Sequence, residues 1–244
     1  MDQPVIERLV TINREFYHRF ADQFANTRGP QQPGLLLLPD FLPRSGRLLD
    51  IGCGNGRFAL VLEQRELLID YLGIDASRPL LEIARETTND LRYVRTAFQQ
   101  VDVMAENWAH ELQEGSFDAI ALLAVLHHIP GRQRRRSLLA GLREHLAPSG
   151  VLAISTWQFL NSERLKRKIV PWQQIDIDSD SVEPGDYLLD WQRGGSGLRY
   201  CHLIDERQLR ELAAAAGLEV REIFLADGKE GNLNLFAILA RNGP

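Results

Sequence analysis

The sequence predicts an α/β fold in which one mostly parallel sheet carries helices on both faces. Two patterns point to it. From residue 47 onward, short apolar runs alternate with stretches of helical period, the repeat of strand–helix–strand units. Near the C-terminus, the last two apolar runs are joined by Asp227-Gly228-Lys229-Glu230-Gly231, too short for a crossover, so they are antiparallel neighbours. With 44% hydrophobic and 25% charged residues in 244, the chain has the composition to bury a sizeable core.

The elements follow in order. Ile6, Leu9, Ile12, Phe16, Phe20 and Phe24 fall at helical spacing and predict an amphipathic helix over 5–24. The breakers Arg28-Gly29-Pro30 through Pro33-Gly34 end it. Strands are expected at 47–51, 71–75, 91–96, 117–123 and 151–156, with helices between them. A long polar segment follows to residue 199 and includes Arg193-Gly194-Gly195-Ser196-Gly197. A helix at 205–216 and strands at 218–224 and 232–239 complete the set. The expectation is one domain over 1–244 with an N-terminal helical segment (1–34) and a substrate-side insertion (157–200). No apolar run reaches the roughly 18 residues of a membrane span, and Met1 to Arg8 lacks the basic-then-apolar pattern of a secretory leader, so a cytoplasmic chain without membrane attachment is expected. Cys53 and Cys201 stand far apart without C-x-x-C partners, which indicates neither a disulfide framework nor a structural zinc site.

A net charge of −5 argues against indiscriminate binding to nucleic acid, which depends on neutralising phosphates. The charge is uneven. Residues 127–168 hold nine basic residues against Glu144 and Glu163, a formal +7, leaving −12 for the remainder. Such a segment suits either a local anionic partner or the solvated faces of two helices.

Leu48-Leu49-Asp50-Ile51-Gly52-Cys53-Gly54-Asn55-Gly56 is a strand running into a glycine-rich turn before a helix. A dinucleotide fold wants its third glycine one place later, where Arg57 stands. Asp50, two residues before the first glycine, would repel a pyrophosphate and attract a ligand carrying an ammonium and a sulfonium. S-adenosylmethionine is such a ligand. Asp75 ends the second strand about twenty residues after the glycine turn, where an acid accepts the ribose hydroxyls. The expected cofactor-binding set is therefore Asp50, Gly52, Cys53, Gly54, Gly56, Asp75 and Ala76. After the third strand Arg95-Thr96-Ala97-Phe98 offers no carboxylate and Asp102 stands further on, so Ala97 and Phe98 are expected to meet the adenine, Phe98 as plain core being the alternative.

In open α/β sheets ligands sit beyond the carboxyl ends of the strands, which puts the acceptor near Leu126-His127-His128-Ile129 and Ser155-Thr156-Trp157. The paired histidines point in different directions and lack a supporting cluster, so no metal site is indicated. Asp176-x-Asp178-x-Asp180 imitates a calcium loop, but Ser181 occupies its glycine position and Tyr187 its bidentate position.

Strand, glycine turn, helix, strand and acid in this order resemble the class I S-adenosylmethionine-dependent methyltransferases over about 47–239. The resemblance implies a Rossmann-like seven-stranded methyltransferase sheet with an antiparallel last strand. A second set of stretches resembles the tRNA methyltransferases that esterify 5-carboxymethyluridine at the wobble position, including the domain fused to AlkB-like dioxygenases. The stretches are Phe24-Ala25-Asn26-Thr27-Arg28, Asp50–Gly56, Val125-Leu126-His127-His128 with Arg134-Arg135-Arg136, Trp157, Val170-Pro171-Trp172, Leu198-Arg199-Tyr200-Cys201-His202-Leu203 and Glu230-Gly231-Asn232. The acidic loop 176–190 and Cys201 in place of a second aromatic depart from that family. This resemblance implies tRNA as substrate; the family's eukaryotic members also work with a small zinc-binding activator subunit, a partnership on which the sequence is silent.

A carboxylate acceptor is ionised near neutral pH, so its methylation needs in-line positioning and a cation rather than a strong base. Arg28 and Arg199 are the candidate cations, His127 or His128 the orienting groups, and Trp157 or Tyr200 a stacking surface for a base. Two other classes stay open: a methyltransferase of small metabolites, with the glycine-rich 193–197 segment as a lid, and a non-catalytic binding protein, against which the intact Gly52, Gly54, Gly56 and Asp75 count.

Overall fold

A computed structural model of the chain describes residues 1–25, 31–105, 107–112 and 115–242. In chain order these form α1 (Gln3–Arg19), α2 (Ala21–Ala25), α3 (Pro33–Leu37), β1 (Ser45–Ile51), α4 (Arg57–Gln64), β2 (Leu68–Asp75), α5 (Arg78–Thr87), β3 (Val94–Gln100), β4 (Phe117–Leu123), α6 (Arg132–His145) and β5 (Leu146–Trp157). The second half adds α7 (Glu163–Lys166), β6 (Ile169–Val170), β7 (Asp186–Trp191), β8 (Gly197–His202), α8 (Glu206–Ala215), β9 (Leu218–Ala226) and β10 (Asn234–Arg241). Among the described residues no helix is long and apolar enough to cross a membrane.

Seven strands make the main sheet in the order β3-β2-β1-β4-β5-β10-β9. β1 to β5 run parallel, and β10 lies antiparallel between β5 and β9, as the short 227–231 turn requires. Alternate side chains of each strand point to opposite faces. Leu49, Ile51, Ile120, Leu122 and Ile154 pack with Leu138 and Leu142 of α6 and Leu209 and Leu212 of α8. Leu48, Ala119, Ala121 and Phe236 pack on the other face with Leu35 of α3 and Phe58, Val61 and Leu62 of α4. The strand order reverses between β1 and β4, so the loops leaving their carboxyl ends diverge and open a crevice there.

Three elements differ from the sequence expectation. The 5–24 helix divides at Phe20, where φ of −112° ends α1 before α2 begins. The third strand runs from Val94 to Gln100 instead of 91–96: it is an edge strand with mixed burial, so its apolar residues do not mark its ends, and pairing with β2 carries it on to Asp75↔Gln100. The polar 157–200 segment carries its own antiparallel sheet, β6-β7-β8, rather than a loop. Its glycine run is the hairpin turn between β7 and β8, with positive φ at Gly194 and Gly195. That turn sits against the end of α1: a Cβ on Gly197 would come within 2.5 Å of the Phe20 ring.

Helix α1 joins the small sheet to the large one. Leu9 and Ile12 bury against Leu188 and Tyr200. Asn13 fastens the contact: its Oδ1 accepts the Tyr200 N–H (2.9 Å), while its Nδ2 donates to the carbonyls of Tyr200 (3.1 Å) and His128 (3.3 Å). One amide thus ties α1 to β8 and to the turn after β4. Asn13→Ala leaves the buried Tyr200 N–H without its partner and is expected to cost about 1–3 kcal/mol, read as a lower urea midpoint at unchanged slope; an unchanged midpoint would mean that the stitch contributes nothing.

Candidate functional site

The crevice beyond β1 and β4 is a cavity of about 1010 Å³. Its floor is the turn after β1, and the sequence accounts for its shape. Gly52, Gly54 and Gly56 have φ of +66°, +57° and +72°, a region that side-chain-bearing residues seldom adopt. At Gly52 a Cβ would drive into Val125 Cγ2, whereas at Gly54 nothing lies within 4 Å, so its backbone faces open space. Asp50, Gly52, Cys53, Gly54, Asp75 and Ala76 of the expected cofactor set line the cavity. Gly56 does not; it caps the start of α4, where a Cβ would come within 3.2 Å of Ala84 in α5 and of Thr88 just beyond that helix.

Two carboxylates define the floor's electrostatics. Asp75 accepts the Gly54 N–H at Oδ2 (2.9 Å) and the Ser77 N–H at Oδ1 (2.8 Å), so it shapes the glycine turn as well as facing the cavity. Burial raises its pKa against the lowering effect of those two bonds. Asp50 is 2% exposed, and burial pushes its carboxyl up to about 7 although the Tyr71 hydroxyl donates to it at 2.5 Å and Arg57 stands near. Burial together with Asp75 and Asp50 holds the Cys53 thiol well above its ordinary range, which keeps it neutral. Arg57, at the position that separates this turn from the dinucleotide pattern, also lines the cavity; its Nη1 donates to Gln32 Oε1 at 2.6 Å. Nothing in the sequence marked Arg57 as facing inward, because its neighbours Gln32 and Asp227 come from distant segments.

The segment after β3 corrects one expectation. Ala97 is exposed, and Phe98 packs against Tyr71, with ring centroids 5.9 Å apart, and beneath Gly73, so neither lines the cavity. Because β3 ends at Gln100, the residues that reach the cavity are Gln100 to Met104. Asp102, which the shorter strand put too far along, lies in the wall and ion-pairs with Arg14 of α1. Helix α1 forms the facing wall through Val10, Asn13, Tyr17 and His18.

The acceptor-side residues gather around β5 and β8. His128 lines the cavity; its ring meets Tyr17 and the Tyr200 carbonyl. His127 is 1% exposed and accepts the Trp157 N–H at Nδ1 (3.3 Å), placing it behind His128 rather than on the cavity. Arg199 is 5% exposed, and its guanidinium carbon lies 4.9, 5.0 and 5.3 Å from the ring centroids of Phe16, Trp157 and Trp191. Its Nε has no hydrogen-bond partner, and no carboxylate among the described residues pairs with it. Tyr200 is 0% exposed and donates its hydroxyl to Asp186, so its ring is not available to stack on a base. Arg28 lies outside the described residues.

The basic segment is also reassigned. Arg135 is fully buried and pairs with Glu183 at 2.6 Å, while Arg132, Arg143 and Lys166 pair with Glu211, Glu144 and Glu163. None of its nine basic residues lines the cavity. Glu183, Asp186 and His202 bring possible metal-ligand atoms within 4.8 Å of one another. Those atoms are already engaged: Asp186 accepts from the Tyr200 hydroxyl, the Glu183 N–H and His202 Nδ1, and Glu183 accepts from the backbone of Arg132 and the side chain of Arg135. They form a strut between α6 and the small sheet.

Residues 17–223 match a family described as a methyltransferase domain. A putative methyltransferase of Encephalitozoon cuniculi is 30% identical over 236 residues, 94% of this chain and 97% of its own. A tRNA (carboxymethyluridine(34)-5-O)-methyltransferase of Xenopus tropicalis is 30% identical over 162 residues, 65% of this chain but 23% of that protein. The chain spans about a quarter of the length of the tRNA methyltransferases that it resembles. Among solved structures, a methyltransferase from Methanosarcina mazei superposes with a TM-score of 0.66 at 18% identity, over 85% of this chain and 98% of that one, a likeness of fold.

The buried acids give the ligand-free protein a definite pH dependence. The Asp50 carboxyl ionises near 3.8 when exposed and near 7 in the fold. Between those values the folded chain keeps a proton that the unfolded chain has released, so stability is full below the lower value and is lost as pH rises through the higher; Asp75 acts with the same sign. The thermal midpoint is expected to fall from about pH 4 to about pH 7, and Asp50→Asn to flatten the fall; equal slopes in both proteins would overturn the assignment.

Proposed function

Because this chain belongs to the methyltransferase-domain family, we propose that it transfers the methyl group of S-adenosylmethionine to a carboxylate, that of the carboxymethyl group on a tRNA wobble uridine. The residues present fit the donor. Asp50 faces the cavity where an ammonium and a sulfonium need a negative charge, and Arg57 beside it supplies a cation for the carboxylate of the same amino-acid end. Asp75 and the open backbone at Gly54 suit the ribose, and the 100–104 segment closes the adenine side. Bound there, the donor supplies an electrophilic methyl on sulfur. The chain's own work is to hold the acceptor in line and to exclude water, since an ionised carboxylate needs no base.

Arg199 carries the choice of acceptor. A buried guanidinium without a carboxylate partner is costly, and three aromatic faces offset only part of its lost hydration. An anionic group on the acceptor would complete it, with Arg28 as a second cation and Trp157, whose ring centroid lies 5.0 Å from the Arg199 guanidinium carbon, as a stacking surface. The relatives named as carboxymethyluridine methyltransferases support the same class. One observation favours a small metabolite carboxylate instead: no residue of the basic 127–168 segment except His128 and Ile129 lines the cavity.

The deciding assay incubates the protein with methyl-labelled S-adenosylmethionine and tRNA from cells lacking the ester, then digests the RNA. A labelled, base-labile methyl ester nucleoside is expected. Label in a metabolite extract and none in tRNA would replace the acceptor. Arg199→Ala is expected to lower kcat/KM by about 10²-fold or more with donor affinity unchanged; full activity in that variant would remove Arg199 from the acceptor site.

A further inference from the structure

Asp227, the first residue after β9, lies outside the cavity, yet a chain of hydrogen bonds leads from it to the cavity floor. The residue is 6% exposed with φ of +69°. Its Oδ1 accepts the Gly34 N–H (2.8 Å), and its Oδ2 accepts from Asn234 Nδ2 (2.7 Å) and Gln32 Nε2 (2.5 Å). Gln32 Oε1 accepts in turn from Arg57 Nη1 at 2.6 Å. A carboxylate only accepts and a guanidinium only donates, so the Gln32 amide fits one way round. Its backbone is fixed as well, because its carbonyl takes the N–H groups of Leu35 and Leu36 at the start of α3.

Arg57 is the member of this chain that lines the cavity. The bond to Gln32 uses only part of its donor fork, and no other hydrogen bond or ion pair engages the guanidinium among the described residues. Burial disfavours the Arg57 cation, and Asp50 and Asp227 both favour it. Asp50 lines the same cavity, but no hydrogen bond or close ion pair joins it to Arg57; its carboxylate takes the Tyr71 hydroxyl instead. Where water is scarce, an acid and a long, flexible arginine gain Coulomb energy by closing on each other. The floor would then be neutral and already filled.

We propose that Gln32 and Asp227 are positioning residues for the methyl donor: they hold Arg57 apart from Asp50, so the floor keeps an acid for the donor's ammonium and a cation for its α-carboxylate. The inference rests on the seat given to S-adenosylmethionine in the preceding section. The ammonium and carboxylate of an amino-acid end share one carbon, so their seat needs two opposite charges that face the ligand rather than each other. Neither Gln32 nor Asp227 lines the cavity, so each acts through Arg57. The Gly34 and Asn234 bonds serve the turn; the bond to Gln32 carries the Asp227 charge toward the ligand.

Binding calorimetry with two probes tests the proposal: S-adenosylhomocysteine, which carries the amino-acid end, and 5′-methylthioadenosine, which lacks it. Gln32→Met keeps the side chain's length and removes both of its links. It is expected to weaken S-adenosylhomocysteine about tenfold, the order of one charge-assisted hydrogen bond, and to leave 5′-methylthioadenosine unchanged. Because Gln32 acts through Arg57, adding Gln32→Met to Arg57→Met should weaken S-adenosylhomocysteine no further than Arg57→Met alone. Asp227→Asn should follow Gln32→Met; since Asp227 also holds Gly34 and Asn234, Gln32→Met decides if Asp227→Asn does not fold. Wild-type affinity in Gln32→Met, an equal loss for both probes, or losses that add in the double variant would each overturn the proposal. Arg57→Met tells its failure from that of the donor seat. If Arg57→Met weakens S-adenosylhomocysteine and Gln32→Met does not, the seat stands and the positioning role fails. If Arg57→Met binds S-adenosylhomocysteine as the wild type does, the seat is wrong and the proposal falls with it.

Discussion

The desolvated carboxylate of Asp50 is the constraint from which the cofactor end of the molecule is built. It ends a central strand flanked by β2 and β4, where water is excluded, and an acid there is tolerated only with compensation. Tyr71 of β2 donates to it, and Arg57 from the first turn of α4 supplies an opposing charge. Arg57 is itself steadied at a distance. Gln32 accepts from it, and Asp227 accepts in turn from Gln32, from the Gly34 N–H and from Asn234. Asp227 adopts φ of +69° to do so, an uncommon conformation held by three hydrogen bonds. The turn between the last two strands is thereby connected to the end of the first.

What could be read from the sequence follows from how local the cause was. Parallel strands buried on both faces declare themselves in apolar runs, and a backbone turn with three positive φ values declares itself in glycines. Burial on one side only leaves a weaker mark. The edge strand β3 extends beyond its apolar residues, so the residues after it that line the cavity are Gln100–Met104, whereas the shorter strand put Ala97 and Phe98 there. The β6-β7-β8 sheet was illegible for a similar reason: its strands are two to six residues long within a polar segment, and Leu188, Leu189 and Tyr200 find cover in α1, α7 and the neighbouring loops.

Arginines show the limit most clearly. In the sequence Arg134, Arg135 and Arg136 form one basic run, yet Arg135 is buried against Glu183 while Arg136 is exposed. Arg199 sits in an unremarkable strand and becomes a caged cation because Phe16, Trp157 and Trp191 converge on it. Charge counted along the chain is therefore a poor guide to charge presented at a surface. The formal +7 already discounts Glu144 and Glu163; two further charges, Arg132 and Arg135, pair with Glu211 and Glu183 from outside the segment, and none of its arginines and lysines lines the cavity, so an anionic group bound there would be held by a few placed cations rather than by a general field.

The division of labour between the two sheets follows. The main sheet fixes the glycine turn, Asp50 and Asp75, and would do so for any acceptor; a shared fold accordingly carries no information about the acceptor. The residues proposed for the acceptor lie elsewhere: Arg199 stands on β8, and His128 on the turn after β4 that Asn13 of α1 and the Tyr200 carbonyl of β8 hold. Helix α1 is held on β8 by Asn13 and on the adjoining β7 by the aromatic contacts of Phe16 and Phe20 with Trp191. Because α1 also walls the cavity, a change in how it docks on β8 alters the seat of Tyr17 and His128 while leaving the glycine turn in place. Acceptor choice in this chain can thus drift through the α1–β8 contact without disturbing the cofactor end.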